Sequence, residues 1–371
     1  MLLWAVDKLF FLDRGLELYQ IAILLACWSG FSIILQIPTG ALADKWSRKN
    51  MLVLSGVFSS LCFITWFFSS SFWLFLLGFL FLTICDTFVS GTLQAYVYDF
   101  LKSNGQEEEF ERIWGRGTAH YLIGIAVAML LGGFLSTHSY ELVVGISAIS
   151  PIVLVAVASL LPQTELLDST KRKDYFLFIR LGIKRTFTHP IILRAFFYSA
   201  LVSVVPGLLE EYDQVLLSSW LRLPNSFIGI WLALGIGASS VGALFAHRAR
   251  KVSWLVLNSL AVSVSIILIT VPFVNSTWLL GFLILLSTIS GSAGVIIQGI
   301  IQREIDTVER ATITSVNITG IEVSVILLGL VFGFIANSFG IQIGYGFCGL
   351  IPMIYPVGYL IFRRITMTNK E

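Results

Sequence analysis

The chain has 371 residues, of which 56% are hydrophobic and only 12% charged, with 24 basic residues against 22 acidic ones. So little polar surface excludes a soluble globule of this size, and basic residues dispersed over short loops argue against nucleic acid as a partner. Cys27, Cys62, Cys85 and Cys348 all fall in apolar runs, where they read as small packing residues, with no disulfide framework or thiolate metal site.

From the N-terminus, Met1 to Leu12 is apolar apart from Asp7 and Lys8. At about 1.5 Å per residue it is too short to cross a bilayer, and it reads as the outer half of a helix whose start is missing. Counting about 20 apolar residues per crossing, full spans follow near 18 to 43, 50 to 69, 72 to 101, 117 to 138, 140 to 161, 191 to 221, 225 to 247, 252 to 274, 277 to 302, 311 to 336 and 340 to 362. With the short first segment they make twelve helices. Trp28, Trp66, Trp73, Trp231, Trp254 and Trp278 lie mostly near span ends, as interfacial anchors do.

Between the spans at 18 to 43 and 50 to 69 runs Gly40-Ala41-Leu42-Ala43-Asp44-Lys45-Trp46-Ser47-Arg48-Lys49. An echo begins at Gly242, where Ala243, Leu244, Arg250 and Lys251 repeat Ala41, Leu42, Arg48 and Lys49 at the same offset. Chance pairing of small and basic residues at helix ends is one reading; the two copies together favour an internal repeat. That offset maps the helix after Pro190 onto a start about a dozen positions before Met1. Basic residues collect in cytoplasmic loops. With the Gly40–Lys49 turn inside, only Lys8, Arg14 and Arg222 fall outside, and both termini face the cytoplasm. The predicted division is an N-terminal half at 1–161, a linker at 162–190 and a C-terminal half at 191–371. The linker carries Lys171-Arg172-Lys173 and an amphipathic stretch at 175 to 186 that would lie along the membrane surface.

An ionisable side chain within a span costs roughly 2.5 to 3.5 kcal/mol on insertion scales and needs a partner, a cavity or a job. Asp86 lies midway along its span. Thr83, Asp86, Ser90 and Gln94 recur at spacings of three and four and so share one helix face, the mark of a stripe facing a water-accessible interior. Ser90-Gly91 reads instead as a close-packing seam. In the second half Glu322 follows Thr312, Ser315 and Thr319 on one face, either as a proton- or substrate-binding carboxylate or as a permanently neutral acid. Pro206 predicts a kink, and Glu210-Glu211-Tyr212-Asp213-Gln214 follows it. Glu211 and Tyr212 are the candidates there for the outer mouth of a pathway. Ser287, Ser290, Gly291, Gly294 and Gln298 share helical spacing, and of these only Gln298 is a candidate ligand. His120, His138, His189 and His247 form no metal or hydrolytic motif, and no enzyme activity or cofactor is expected.

The Gly40–Lys49 sequence, as G-x-L-A-D-x-x-x-R-K, resembles the loop between helices 2 and 3 of major facilitator superfamily transporters, with Ser47 where that family usually has Gly. Twelve helices in two halves, a basic central loop and Glu309-Arg310-Ala311-Thr312 opening helix 11 extend the resemblance over the chain. The resemblance implies an all-α membrane fold of two six-helix bundles related by a pseudo-two-fold axis, and alternating access to a central site lined by helices 1, 4, 7 and 10. It implies that Asp44 meets the positive N-terminal end of helix 11 near Arg310 and that Arg48 pairs with Asp99. With Gly40 and Lys49 these would form a latch holding the outward-open state. Within the superfamily the chain looks like a bacterial drug-efflux member with two departures. The exporters' helix-5 pattern g-x-x-x-G-P-x-x-G-G stands here as Gly124-x-x-x-Ala128-Met129-x-x-Gly132-Gly133, and Thr87 stands where they carry a membrane-embedded arginine. The expectation is a monomeric, proton-coupled exporter of a small molecule in the cytoplasmic membrane. The alternatives are ion-coupled uptake and a non-transporting protein of the same fold.

Overall fold

The structure is a computed structural model, and it describes residues 1–43, 46–90, 92–163, 183–246, 254–304 and 310–368. Eleven helical stretches among them are long and apolar enough to cross a membrane, and they coincide with the eleven apolar runs. A bilayer core offers the backbone no water, so segments rich in Leu, Ile, Val and Phe satisfy their N–H and C=O groups internally, as helices. Local chemistry sets the ends. Ser139 Oγ accepts from the Leu142 N–H at 3.1 Å and, with Glu141 in the first turn, caps Tyr140–Leu160. Gly15, at φ 87°, takes the left-handed conformation that ends Asp7–Asp13 and turns the chain toward Leu18–Ala43.

Three spans are discontinuous among the described residues; the run at 340 to 362 divides at Gly349 into Ile341–Cys348 and Leu350–Thr368. The run at 72 to 101 comprises Phe72–Val89 and Thr92–Ser103, parted at Ser90, whose ψ of 119° leaves the helical region. The run at 191 to 221 begins as Pro190–Tyr198, passes through a π-helical turn at Ser199–Ser203 and continues as Val204–Glu210. It then breaks at Glu211 and Tyr212 before Asp213–Val215 and a second π turn, Leu216–Trp220. Pro206 lacks an N–H, so the carbonyl of Val202 loses its helical donor, and the π turn that contains Val202 takes up the mismatch. The irregularity expected at Pro206 therefore falls before it, and the break comes one helical turn after it.

The helices gather into two compact units. The first comprises Met1–Leu16, Leu24–Arg172 and Pro224–Ala233; the second comprises Glu17–Ile23, Lys173–Leu223 and Leu234–Glu371. In the first, Arg48–Phe67 packs along both Phe72–Val89 and Tyr140–Leu160. The short Asp7–Asp13 helix sends Phe10 and Phe11 into an aromatic cluster. Phe11 meets Phe75 at 4.9 Å and Trp66 at 5.2 Å, and Trp66 meets Phe79 at 5.0 Å, all edge-on. Trp66 is buried, with its indole N–H on the Phe75 carbonyl at 3.2 Å. It is thus a core residue and not the interfacial anchor that its place near a span end predicts; Trp73 and Trp278 are exposed, as anchors are. Phe110–Leu135 crosses the start of Asn225–Phe245 where a Cβ on Gly133 would lie 2.7 Å from the Gly229 Cα. Only glycine allows that backbone contact.

In the second unit, Tyr198, Leu257, Ile297, Ile313 and Tyr355 form part of a common core. Gly242, the first residue of the echo, lies where a Cβ would meet the Thr288 carbonyl and come within 3.1 Å of the Ser292 nitrogen. Close passage of Asn225–Phe245 over Trp278–Glu304 accounts for a glycine there.

Candidate functional site

Phe75, Phe79, Leu82 and Asp86 succeed one another at spacings of four, three and four, so Asp86 lies on the face with which its helix enters the core. Phe75, Phe79 and Leu82 are buried there, while Asp86 itself is exposed. The lipid-type residues Trp73, Leu74 and Leu77 occupy the other side of the same helix. Asp86 is thus the exposed member of a row whose other residues are buried. The Trp28 side chain reaches Asp86, Trp28 packs on Phe79 at 6.3 Å, and the helix ends one turn later at Ser90. The Asp86 carbonyl accepts the Ser90 N–H at 2.9 Å, the last hydrogen bond before the break. Thr83 does not share the exposure of Asp86. Its hydroxyl is buried and donates to the Phe79 carbonyl at 2.8 Å, and Thr87 donates to the Thr83 carbonyl at 2.9 Å.

Gln94 lies beyond the break, with other company. With Ala95, Tyr98, Asp99 and Phe110 it lines a shallow depression of about 310 Å³. Asp99 there forms a salt bridge with Arg48, whose guanidinium also donates to the Ala95 carbonyl at 2.9 Å. The two side chains are 10% and 19% exposed. Tyr96 donates to the Pro162 carbonyl at 2.8 Å, and Tyr96, Leu52 and Ala158 pack together beside it. Ser47, the departure from the expected glycine, is the N-cap of Arg48–Phe67, with its oxygen 3.5 Å from the Asn50 N–H, a long contact. Lys49 is half-buried and Gly40 is helical. Asp44 lies outside the described residues, as do the Arg310 side chain, Gly91, the echo from His247 to Lys251 and the linker from 164 to 182.

In the second unit the candidates are dispersed. Glu322 is half-buried on the unbroken helix Arg310–Phe339. Gln298 is exposed on Trp278–Glu304. Glu211 is half-buried at the break, whereas Tyr212 is fully buried, its ring 4.5 Å from that of Phe332 and its hydroxyl without a hydrogen-bond partner. Tyr212 is thus a packing residue at the joint and does not line an outer mouth. A groove of about 400 Å³, lined chiefly by Leu193, Arg194, Phe197, Leu201, Ile354 and Tyr355, contains none of the candidate residues.

Three polar features escape the sequence patterns. Asp7 and Lys8 form a buried ion pair at 2.8 Å; the signal is two adjacent opposite charges in an apolar run. Asn317 is 3% exposed, with both amide atoms unpaired. It follows Ile313 by four residues and so shares that residue's core face, which a search for acids passes over. Asp213 is buried and bonded to Tyr345; it stands in the sequence as one acid among three. Among the described residues no group of His, Cys, Asp or Glu is placed to hold a metal ion.

The family model described as the Major Facilitator Superfamily matches residues 8–327. Among solved structures, the nucleoside transporter NupG superposes with a TM-score of 0.79 at 16% identity, covering 97% of this chain and 94% of that one. A bacterial homologue of the human lysosomal transporter Spinster, inward-facing and unoccupied, superposes with a TM-score of 0.76 at 14% identity, covering 98% and 93%. A search of curated protein sequences finds no match. By its spans, its helical architecture and the family model, the chain is a multi-pass membrane protein that belongs to the major facilitator superfamily.

Proposed function

We propose that the chain is a secondary active transporter that moves a small molecule across the cytoplasmic membrane by alternating access, with protons as the coupling ion and export as the direction. The observation that carries this reading is Asp86, a carboxylate on the core face of its helix that is nonetheless exposed, one turn before that helix breaks. A carboxylate in an internal opening can bind and release a proton or a cationic group as access alternates. Two six-helix halves, 1–161 and 191–371, would move about this site, with 162–190 as their tether and both termini in the cytoplasm. The Arg48–Asp99 pair would stiffen the inner end of the first half through the movement.

Export rests on the glycine pair Gly132-Gly133, shared with the exporters' helix-5 pattern. A second reading, ion-coupled uptake, is favoured by the missing Gly-Pro, by Thr87 in place of the exporters' arginine and by the likeness to a nucleoside transporter. Protein reconstituted in vesicles holding a pH-sensitive dye tests both. Candidate nucleosides, amino acids, sugars and organic cations are added in turn, and one of them is expected to dissipate an imposed pH gradient. Deleting the gene should then raise the cellular content of that compound; a fall would establish uptake. If no compound and no proton moves, the chain is a non-transporting member of the fold.

A further inference from the structure

We propose that Asp213 is a proton-binding site, occupied in this structure, whose occupancy Tyr345 relays to the break in the 190–220 run. The Tyr345 hydroxyl lies 2.8 Å from the Leu209 carbonyl oxygen and 2.8 Å from Asp213 Oδ1. A tyrosine hydroxyl has one hydrogen to give, and a backbone carbonyl can only accept. If Asp213 is ionised, the single hydroxyl hydrogen must serve the carboxylate and the Leu209 carbonyl together, which weakens both contacts. If it donates to Leu209, Asp213 must supply the hydrogen for the second contact. A protonated Asp213 gives each contact a hydrogen of its own, whereas an ionised Asp213 leaves two acceptors to share a single one, and both residues are buried, Tyr345 at 0% and Asp213 at 8% exposure.

The surroundings fit this arrangement. Glu210, Glu211 and Tyr212 approach from the same run, Tyr345 and Cys348 from Ile341–Cys348, and the Phe332 ring of Arg310–Phe339 lies against both Tyr212 and Tyr345. The Leu209 carbonyl also accepts the Tyr212 N–H at 2.8 Å, across the break between Val204–Glu210 and Asp213–Val215. Loss of the Asp213 proton to water leaves a carboxylate that only accepts. Tyr345 must then turn its hydrogen from Leu209 to Asp213, and the last turn of Val204–Glu210 loses its tie to Ile341–Cys348. Proton release thus loosens the joint and proton binding fastens it. The place of this switch in a transport cycle rests on the proton-coupled reading above; the proton itself does not.

The test is infrared spectroscopy of the full-length protein in lipid, as acid-minus-alkaline difference spectra in H2O and D2O. The expected result is a carboxylic-acid C=O band, shifted in D2O, that is lost in Asp213→Asn and moves in Tyr345→Phe. The Asn amide donates to Tyr345 as the acid does, so Asp213→Asn should melt with the wild type. An unchanged spectrum in Asp213→Asn overturns the proposal, and so does an Asp213→Asn protein that unfolds while Tyr345→Phe stays intact. A transporter with no proton coupling would still show the band. A missing band would leave proton coupling standing through Asp86, so the two readings fail separately.

Discussion

Asp86 and Asp213 are both carboxyls set beside a break in a helix, and the protein surrounds them in opposite ways. Asp86 lies on the core face of Phe72–Val89 and is exposed, reached by the Trp28 side chain. Asp213 is buried, with the Tyr345 hydroxyl on its oxygen and Phe332 closing over the neighbouring rings. The two uses of a membrane-embedded acid differ accordingly. An acid in an opening can trade partners with whatever enters, whereas a sealed acid can exchange only a proton and must move its neighbours to do so. Residue type does not distinguish the two; the packing one turn away does.

The largest effect is expected at Asp86: Asp86→Asn should reduce transport to background while melting with the wild type, because the side chain is exposed and the amide oxygen still accepts from the Trp28 side chain. Phe79→Ala empties the aromatic layer between Asp86 and Trp66, and should cost about 3 kcal/mol or more in chemical denaturation. Arg48→Ala strands the Asp99 carboxylate. Loss of one partner of a fully buried pair costs roughly 3 to 5 kcal/mol, and with side chains 10% and 19% exposed about 2 kcal/mol is expected. In a double-mutant cycle, Arg48→Ala with Asp99→Ala should cost less than the sum of the single changes. The smallest effect is expected at Thr87→Val. Its hydroxyl is spent on the Thr83 carbonyl, so stability should change by less than about 1 kcal/mol and transport not at all. A transport defect there would place Thr87 in the pathway.

How much of this was legible in the sequence varies with the physics that governs each feature. Span positions were legible, because roughly 20 apolar residues in a row satisfy a bilayer in only one way. Gly40 to Lys49 carried the family, which its match over residues 8–327 establishes. The shared face of Thr83, Asp86, Ser90 and Gln94 was legible only as periodicity. Ser90 interrupts the helix, so the stripe divides: Thr83 turns inward to its own backbone and Gln94 joins the Arg48–Asp99 pair. Breaks at Ser90 and at Glu211–Tyr212 were not legible, since neither position carries proline and both depend on tertiary contacts. Tyr212 shows the same limit, for the pattern puts it beside three acids while the fold stacks it on Phe332. Asp213 and Tyr345 are 132 positions apart, and no local pattern joins them.

The most direct measurement is the accessibility of position 86. In a background where Cys27, Cys62, Cys85 and Cys348 are replaced, Asp86→Cys and Leu77→Cys are each treated with a charged, membrane-impermeant thiol reagent. Leu77 lies on the lipid-type face of the same helix, so it reports labelling at a position that faces lipid. The prediction is that Asp86→Cys is labelled and Leu77→Cys is not, with labelling slowed by any compound the protein transports. If position 86 stays unreactive, or if both positions react equally, no water-filled opening exists at Asp86 and the proposed pathway is contradicted.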